Sequence, residues 1–251
     1  MAVNSGPDGI VQDGLTFAFD PANVESYPRS GTVATDLINR VNGTLVNSPQ
    51  FNSSNAGNFF FDGVSEYISF GDIGLGGLTS FSFSHWVKYD SNAVDANTWR
   101  ISMGNSTLNT QGFLTGITRS GWPFNGVRFF FSLNADSSSP YERTGGINTD
   151  STNKVPITLE ADVWYNVSGT WDGSTLRLYV NGNLHDFATY SSYTLPSDTT
   201  GALHVGAGNS GGSGGLGQQT ANMSQIQLYN NKALSAAEVL QNYNALKGRF
   251  V

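Results

Sequence analysis

Carboxylate pairs, histidines and glycine-rich loops are the features of this sequence whose spacing bears on catalysis. Glycoside hydrolysis needs two carboxylates facing one bond at a defined separation. Glu160-Ala-Asp162 is the one carboxylate pair with strand spacing near an aromatic platform. It falls in the turn entering a strand that opens with Trp164-Tyr165, so a solvated loop is its expected role. His85, His185 and His204 are scattered, with no His-x-His or His-x-x-x-His grouping for zinc. His85 lies in a strongly alternating strand and is expected to be buried and hydrogen-bonded. No Gly-x-Ser-x-Gly elbow supports a serine hydrolase. Gly206-Ala-Gly208-Asn-Ser-Gly211 has dinucleotide-loop spacing, but it runs on as Gly-Ser-Gly-Gly-Leu-Gly. Such a run starts no stable helix, and the motif needs one to cradle a pyrophosphate.

Recognition asks for less than catalysis. An exposed aromatic ring can stack on a sugar face. Trp99, Trp122, Tyr141, Tyr190 and Tyr193 lie in loop-like segments and are the candidate carbohydrate-binding platforms, with packed loop anchors as the alternative. Trp86 and Trp164 belong to strands and are expected in the core. Five Asn-x-Ser/Thr sequons begin at Asn42, Asn52, Asn105, Asn166 and Asn222, as chance predicts in a chain so rich in these residues. None is read as glycosylated.

The elements that position these side chains are strands. Trp164–His185 reads as a strand, an Asp172-Gly173 turn, a second strand and an Asn181-Gly182 turn into a third; both dipeptides supply the positive φ that tight hairpins need. Leu176, Leu178 and Val180 alternate with Thr175, Arg177 and Tyr179, the period of a two-faced strand. Further strands are expected at Leu15–Asp20, Gly43–Val46, Asn58–Asp62, Tyr67–Phe70, Thr79–Tyr89, Trp99–Met103, Gly112–Ile117, Val127–Leu133, Ile157–Leu159, Ala202–Gly206 and Ser224–Tyr229. Pro21 to Thr35 reads as a loop. Many short strands between Gly, Asn, Asp and Ser turns indicate an all-β, antiparallel jelly-roll sandwich. One helix follows: Ser235-Ala-Ala-Glu238 has capping-box spacing, Val239, Leu240, Tyr243 and Leu246 recur at helical intervals, and Gly248 is a stop signal. The division expected is a polar N-terminal arm over 1–14 and a sandwich domain over 15–251.

Composition bounds the function. At 251 residues, with 38% hydrophobic side chains, 16 Phe and 10 Tyr, the chain can fill one large aromatic core. Only 12% of residues are charged and the net charge is −7, which argues against a nucleic-acid partner. The absence of cysteine removes disulfides and thiolate chemistry together. No apolar run long enough for a transmembrane helix is present, so no membrane insertion is expected. No signal-peptide pattern opens the sequence, so any export is expected by another route, such as inside an assembled particle.

The chain resembles the concanavalin A-like lectin/glucanase superfamily, in its laminin-G-like or pentraxin-like branch. The matching pieces run in order from Phe61-Asp-Gly63 with Tyr67-Ile68, through Phe81-Ser-Phe-Ser-His-Trp-Val-Lys88 and Trp164-Tyr165, to Leu178-Tyr-Val-Asn-Gly182 and Leu228–Val239. Gly14–Asn23, Asp36-Leu37, Asn42-Gly-Thr-Leu45 and Asn242–Phe250 are similar to versions found in bacteriophage proteins. Glucanases of this superfamily carry Glu-x-Asp-x-x-Glu on one strand; here Glu160-Ala-Asp162 lacks the second Glu, which disfavours an enzyme. The resemblance implies calcium as a cofactor to consider, held at one rim, with Asp62, Glu66 and Asp72 as metal candidates near strand ends. A turn-forming Asp and a solvated Glu are the competing reading. The function expected is a non-enzymatic virion structural protein, a bacteriophage capsid decoration or surface protein with a secondary glycan-adhesion role. Its partners would be capsid or other virion proteins, copies of itself and host surface glycans, and its place the virion surface. The alternative is a lectin module of a tail fibre or cell-surface adhesin, with or without calcium dependence.

Overall fold

Alternation and turn chemistry divide the described residues into short strands: β1 (Leu15–Phe19), β2 (Val33–Thr35), β3 (Asn42–Val46), β4 (Gln50–Asn52), β5 (Asn58–Asp62), β6 (Tyr67–Asp72), β7 (Phe81–Tyr89), β8 (Trp99–Gly104), β9 (Gly112–Arg119), β10 (Val127–Asn134), β11 (Trp164–Trp171), β12 (Thr175–Val180), β13 (Asn183–Thr189), β14 (Ala202–Val205), β15 (Gly217–Gln218) and β16 (Thr220–Asn230). A helix, α1 (Ala236–Leu246), follows them. The computed structural model describes residues 9–91, 99–105, 112–119, 127–134, 159–189, 201–207, 217, 218 and 220–251.

The strands form two facing sheets. Sheet I has the order β13-β12-β11-β7-β16-β5-β4, with β1 also paired to β16; sheet II has the order β10-β9-β8-β14-β6-β3-β2. All these pairings are antiparallel, and a short parallel pairing of β15 with β8 is the exception among the described residues. The expected class is therefore present, and most expected strands stand within a residue or two. β2 falls in the segment read as loop and β4 where no strand was expected, because three-residue edge strands carry too few positions to show a period. Two residues of the expected Ile157–Leu159 strand lie outside the described residues.

The hairpin turns are set by backbone sign. Asn181 and Gly182 have φ of 51° and 78°, the pair a type I′ turn requires. The other turn is displaced by one residue from expectation. Trp171 pairs with Leu176, so Gly173-Ser174 is the central pair, with φ of 92° at Gly173. Asp172 stands before it, accepting bonds from the backbone N–H groups of Ser174 and Thr175 and pairing with Arg177.

Strand β7 shows how one alternating sequence builds two interiors. Phe81, Phe83, Val87 and Tyr89 enter the core between the sheets with Phe113, Phe131, Trp171, Leu176 and Leu178. Ser82, Ser84 and Trp86 point from the opposite face and are also buried. A second layer covers them. Trp86 stacks on Phe250 at 4.3 Å and on Tyr243 at 5.7 Å, while Trp164 meets Phe250 at 4.9 Å. Trp86 and Trp164 are thus interior as expected, but outside the inter-sheet core. Each large aromatic so buried contributes roughly 1.5–3 kcal/mol.

The second layer is closed by both ends of the described chain. Ser235 and Glu238 form the expected capping box of α1. Leu240, expected on the apolar stripe, is exposed, and Asn242 takes a buried position instead. The reason is a polar clasp: Asn242 Oδ1 accepts from Val11 N at 2.8 Å, its Nδ2 donates to Tyr229 Oη at 2.9 Å, and Tyr229 Oη donates to Val11 O at 3.1 Å. Gln241 Nε2 donates to Gly9 O. Of the expected arm over 1–14, residues 9–14 are described, and Ile10 and Val11 are buried against the molecule's own helix and β16. Gly248 lies inside a short 3-10 turn, Lys247–Arg249, rather than stopping the chain's helical course.

Candidate functional site

The structure separates the expected site residues. Trp99 opens β8 opposite Thr118 of β9, so it belongs to a strand rather than a loop. Trp122, Tyr141, Tyr190 and Tyr193 lie outside the described residues. The acidic candidates split into a pair and an outlier. Asp62 Oδ1 accepts from the backbone of Val64 and Ser65, and Glu66 Oε2 accepts from Asp62 N at 2.9 Å. Burial raises the pKa of Glu66, the Asp62 N–H opposes that, and the Asp62 charge adds to it. Asp72 stands at the far end of β6, about 17 Å away along the strand, where it caps a turn by accepting from Gly74 N. Among the described residues no three acidic or histidine side chains converge as metal ligands.

Glu160 and Asp162 occupy an exposed turn, where Asp162 N donates to Tyr89 O and Glu160 N donates to Tyr165 Oη. His204 packs tilted against Tyr67, with ring centroids 4.7 Å apart. His185 is half-buried on β13, and burial lowers its pKa while Asp186 opposes the shift. His85 corrects one expectation. It is fully buried as foreseen, but neither ring nitrogen has a hydrogen-bond partner among the described residues. Its strand position sends the ring between Phe83 and Val87 into an apolar layer, and burial lowers its pKa to about 3.

The outer face of sheet I is where polar groups concentrate. Ser168 Oγ donates to Ser84 Oγ at 2.9 Å, and Asn166 Nδ2 donates to Ser84 Oγ at 3.1 Å. Asn166 N in turn donates to Asn181 Oδ1, tying this row to the hairpin turn. Asn166 and Asn105 are 1% exposed, which seals two of the five sequons in the folded chain.

A bulge in β16 finishes the arrangement. The β7 register jumps between Ser224 and Gln227, and Gln225 has φ of 51°. Ala221 and Met223 face the inter-sheet core before the bulge, Ile226 and Leu228 after it. The extra residue therefore resets which side chains face outward, as bulges do. Gln225 and Gln227 both face the outer layer and join a cavity of about 30 Å³ with Ile10, Leu15, Leu37 and Ile38. Gln227 Nε2 donates to Gln225 Oε1 at 3.3 Å, leaving Gln225 Nε2 and Gln227 Oε1 without partners. Asp20 also borders this cavity, but its carboxylate is occupied by Ala22 N and Arg249. Asp36 nearby accepts from the backbone of Ala18, Ile38 and Asn39 and fixes the loop that forms one wall. A pocket so built offers neutral donors and acceptors between apolar walls.

Sequence reasoning missed the two glutamines because Ser224–Tyr229 reads as one regular strand. The signal available was Gln-x-Gln within a segment otherwise fit for a core.

The family described as the concanavalin A-like lectin/glucanases superfamily matches residues 62–240. This chain belongs to that superfamily. No curated protein sequence matches it. Among solved structures it is similar to domain 4 of AbnA, an extracellular arabinanase of Geobacillus stearothermophilus in complex with arabinotriose. The TM-score is 0.62 at 14% identity, over 91% of this chain and 98% of that one. It is also similar to the receptor binding domain of botulinum neurotoxin C/D mosaic serotype (TM-score 0.62, 13% identity, 93% of this chain and 51% of that one). A sialidase of Trypanosoma rangeli in complex with the inhibitor DANA gives TM-score 0.59 at 12% identity, over 97% of this chain and 34% of the other. This concanavalin A-like chain thus spans about half of the toxin domain structure and a third of the sialidase. At these identities the likeness is one of fold.

Proposed function

We propose that this chain is a carbohydrate-binding sandwich that works by recognition alone. The observation that carries this reading is the likeness, over nearly the whole of both chains, to an arabinanase domain solved with arabinotriose. Two features of the chain support it. Its one strand-spaced carboxylate pair lies in an exposed turn, held there by backbone bonds to Tyr89 and Tyr165. Its outer-face cavity presents neutral amides, which fits uncharged sugars better than phosphates or charged peptides.

A glycan array probed with and without EDTA tests the reading. Binding to a limited set of neutral glycans is expected, and it should persist in EDTA because Asp62, Glu66 and Asp72 do not converge. A chain that binds no glycan above background would end the carbohydrate reading.

A virion surface role is the second reading, and the phage-like Gly14–Asn23 and Asn242–Phe250 segments favour it. Both segments have packing roles here, in β1 and over Trp86, which lowers their weight as signs of attachment. Copurification at fixed copy number with assembled particles would support it. Deleting residues 1–8 tests the arm, since deletion through residue 14 would also remove the clasp on Asn242.

A further inference from the structure

We propose that the cavity at the β16 bulge receives the exocyclic hydroxymethyl group of a neutral hexose, an assignment that rests on the carbohydrate reading and names its point of contact. Size comes first. A volume of about 30 Å³ holds roughly two water-sized groups, which is one carbon and one oxygen and far less than a pyranose ring. The hydroxymethyl arm is the one part of a hexopyranose that projects a carbon beyond the ring, so it alone enters while the ring stays outside.

Chemistry comes second. Gln225 and Gln227 line the cavity at 4% and 1% exposure, and their mutual bond leaves one amide N–H and one amide oxygen unmet. Turning both amides end for end exchanges the two residues' roles and still leaves one donor and one acceptor. A single hydroxyl both donates and accepts, so it satisfies the pair; an ammonium only donates and a carboxylate only accepts. Unmet buried polar atoms are costly, which gives the site its preference for a group that completes them. The walls from Ile10, Leu15 and Leu37 suit the methylene, and exposed Ile38 stands at the mouth where a ring face would rest.

Geometry comes third. The bulge decides which face the two amides take: unbroken alternation from Met223 would send Gln225 and Gln227 into the inter-sheet core and Ile226 outward, and the extra residue at the left-handed Gln225 reverses that.

The test compares cello-oligosaccharides with xylo-oligosaccharides of equal length and linkage, which differ by that hydroxymethyl group, on the intact chain. Calorimetry should give at least about tenfold tighter binding for the gluco series, from one methylene buried and two hydrogen bonds completed. NMR of the wild-type side-chain amides should show Gln225 and Gln227 shifting with the gluco series only. Gln227→Leu, close in volume, should reduce the discrimination to about twofold or less; the wild-type amide shifts keep the test decisive where that variant folds poorly. Equal affinity for the two series, or hexose binding that leaves both amides unmoved, would overturn this assignment while leaving the carbohydrate reading in place. Shifts produced by serine-containing peptides and by no hexose would overturn it in favour of a protein ligand. Failure of every glycan on the array sinks the broader reading first, and is read separately.

Discussion

The two buried layers of this molecule are made of different materials. Between the sheets, Phe81, Phe83, Phe113, Phe131 and their neighbours form an aromatic interior in which Phe131 meets Phe83 edge to face at 5.0 Å and Phe113 stacks on Phe83 at 5.5 Å. Over the outer face of sheet I, serines, asparagines and glutamines lie beneath Trp86, Phe250 and the helix. The first layer includes a buried imidazole, His85, whose ring nitrogens have no hydrogen-bond partner among the described residues. The second carries several such atoms: Trp86 Nε1, Thr170 Oγ1, Gln225 Nε2 and Gln227 Oε1. The difference teaches that an alternating strand with two buried faces need not divide its labour evenly. One face supplies cohesion, and the other keeps hydrogen-bonding capacity in reserve.

The sharpest way to break that contrast is a truncation in each layer. Phe83→Ala should destabilise by about 3–5 kcal/mol in urea unfolding, because close packing leaves a cavity where the ring stood. Phe250→Ala should cost less, about 2 kcal/mol, the transfer value alone, since at the rim neighbours and water fill the space. Equal losses would show that the outer layer is packed like the inner one.

The pH dependence of stability probes the exception in the inner layer. The folded pKa of His85, near 3, lies below its ordinary value of 6.5. Between those pH values the unfolded chain binds a proton that the folded chain refuses. Stability therefore falls as pH is lowered through that window, by up to about 1.4 kcal/mol per unit from this residue. His85→Leu should flatten the slope over pH 4–6 in thermal unfolding. An unchanged slope would mean that His85 is protonated or solvated in the folded state.

The smallest expected effect lies at the bulge. Gln227→Leu should change stability by less than about 1 kcal/mol, because an incompletely bonded buried amide contributes little net and an apolar replacement of similar shape is near neutral. A large loss there would make the glutamines structural, and would weaken the case that their unmet atoms serve a ligand.

Much of the fold was legible because it rests on short-range rules. Asn181-Gly182 turns where its φ signs allow, β7 and β12 alternate as written, and Ser235 with Glu238 caps a helix from three residues apart. Boundaries slipped where the rule needed a partner to be seen: the turn at Gly173-Ser174 is fixed by pairing Trp171 with Leu176, and β2 and β4 are strands only beside β3 and β5. The candidate site was the least legible. Asp62, Glu66 and Asp72 looked alike as acids near strand ends, and the length of β6 keeps the third apart.

By itself the sequence determined the class, the hairpin and the helix start, since each follows from neighbours within a few residues. Only the tertiary structure decided that Trp86 lies outside the main core, that Asn242 rather than Leu240 turns inward, and that Gln225 and Gln227 share a cavity with Ile10 and Ile38. Those outcomes depend on segments more than 200 residues apart meeting on one sheet face, such as Val11 with Asn242. No local pattern encodes that meeting. A one-residue bulge in β16 then settles which side chains face it.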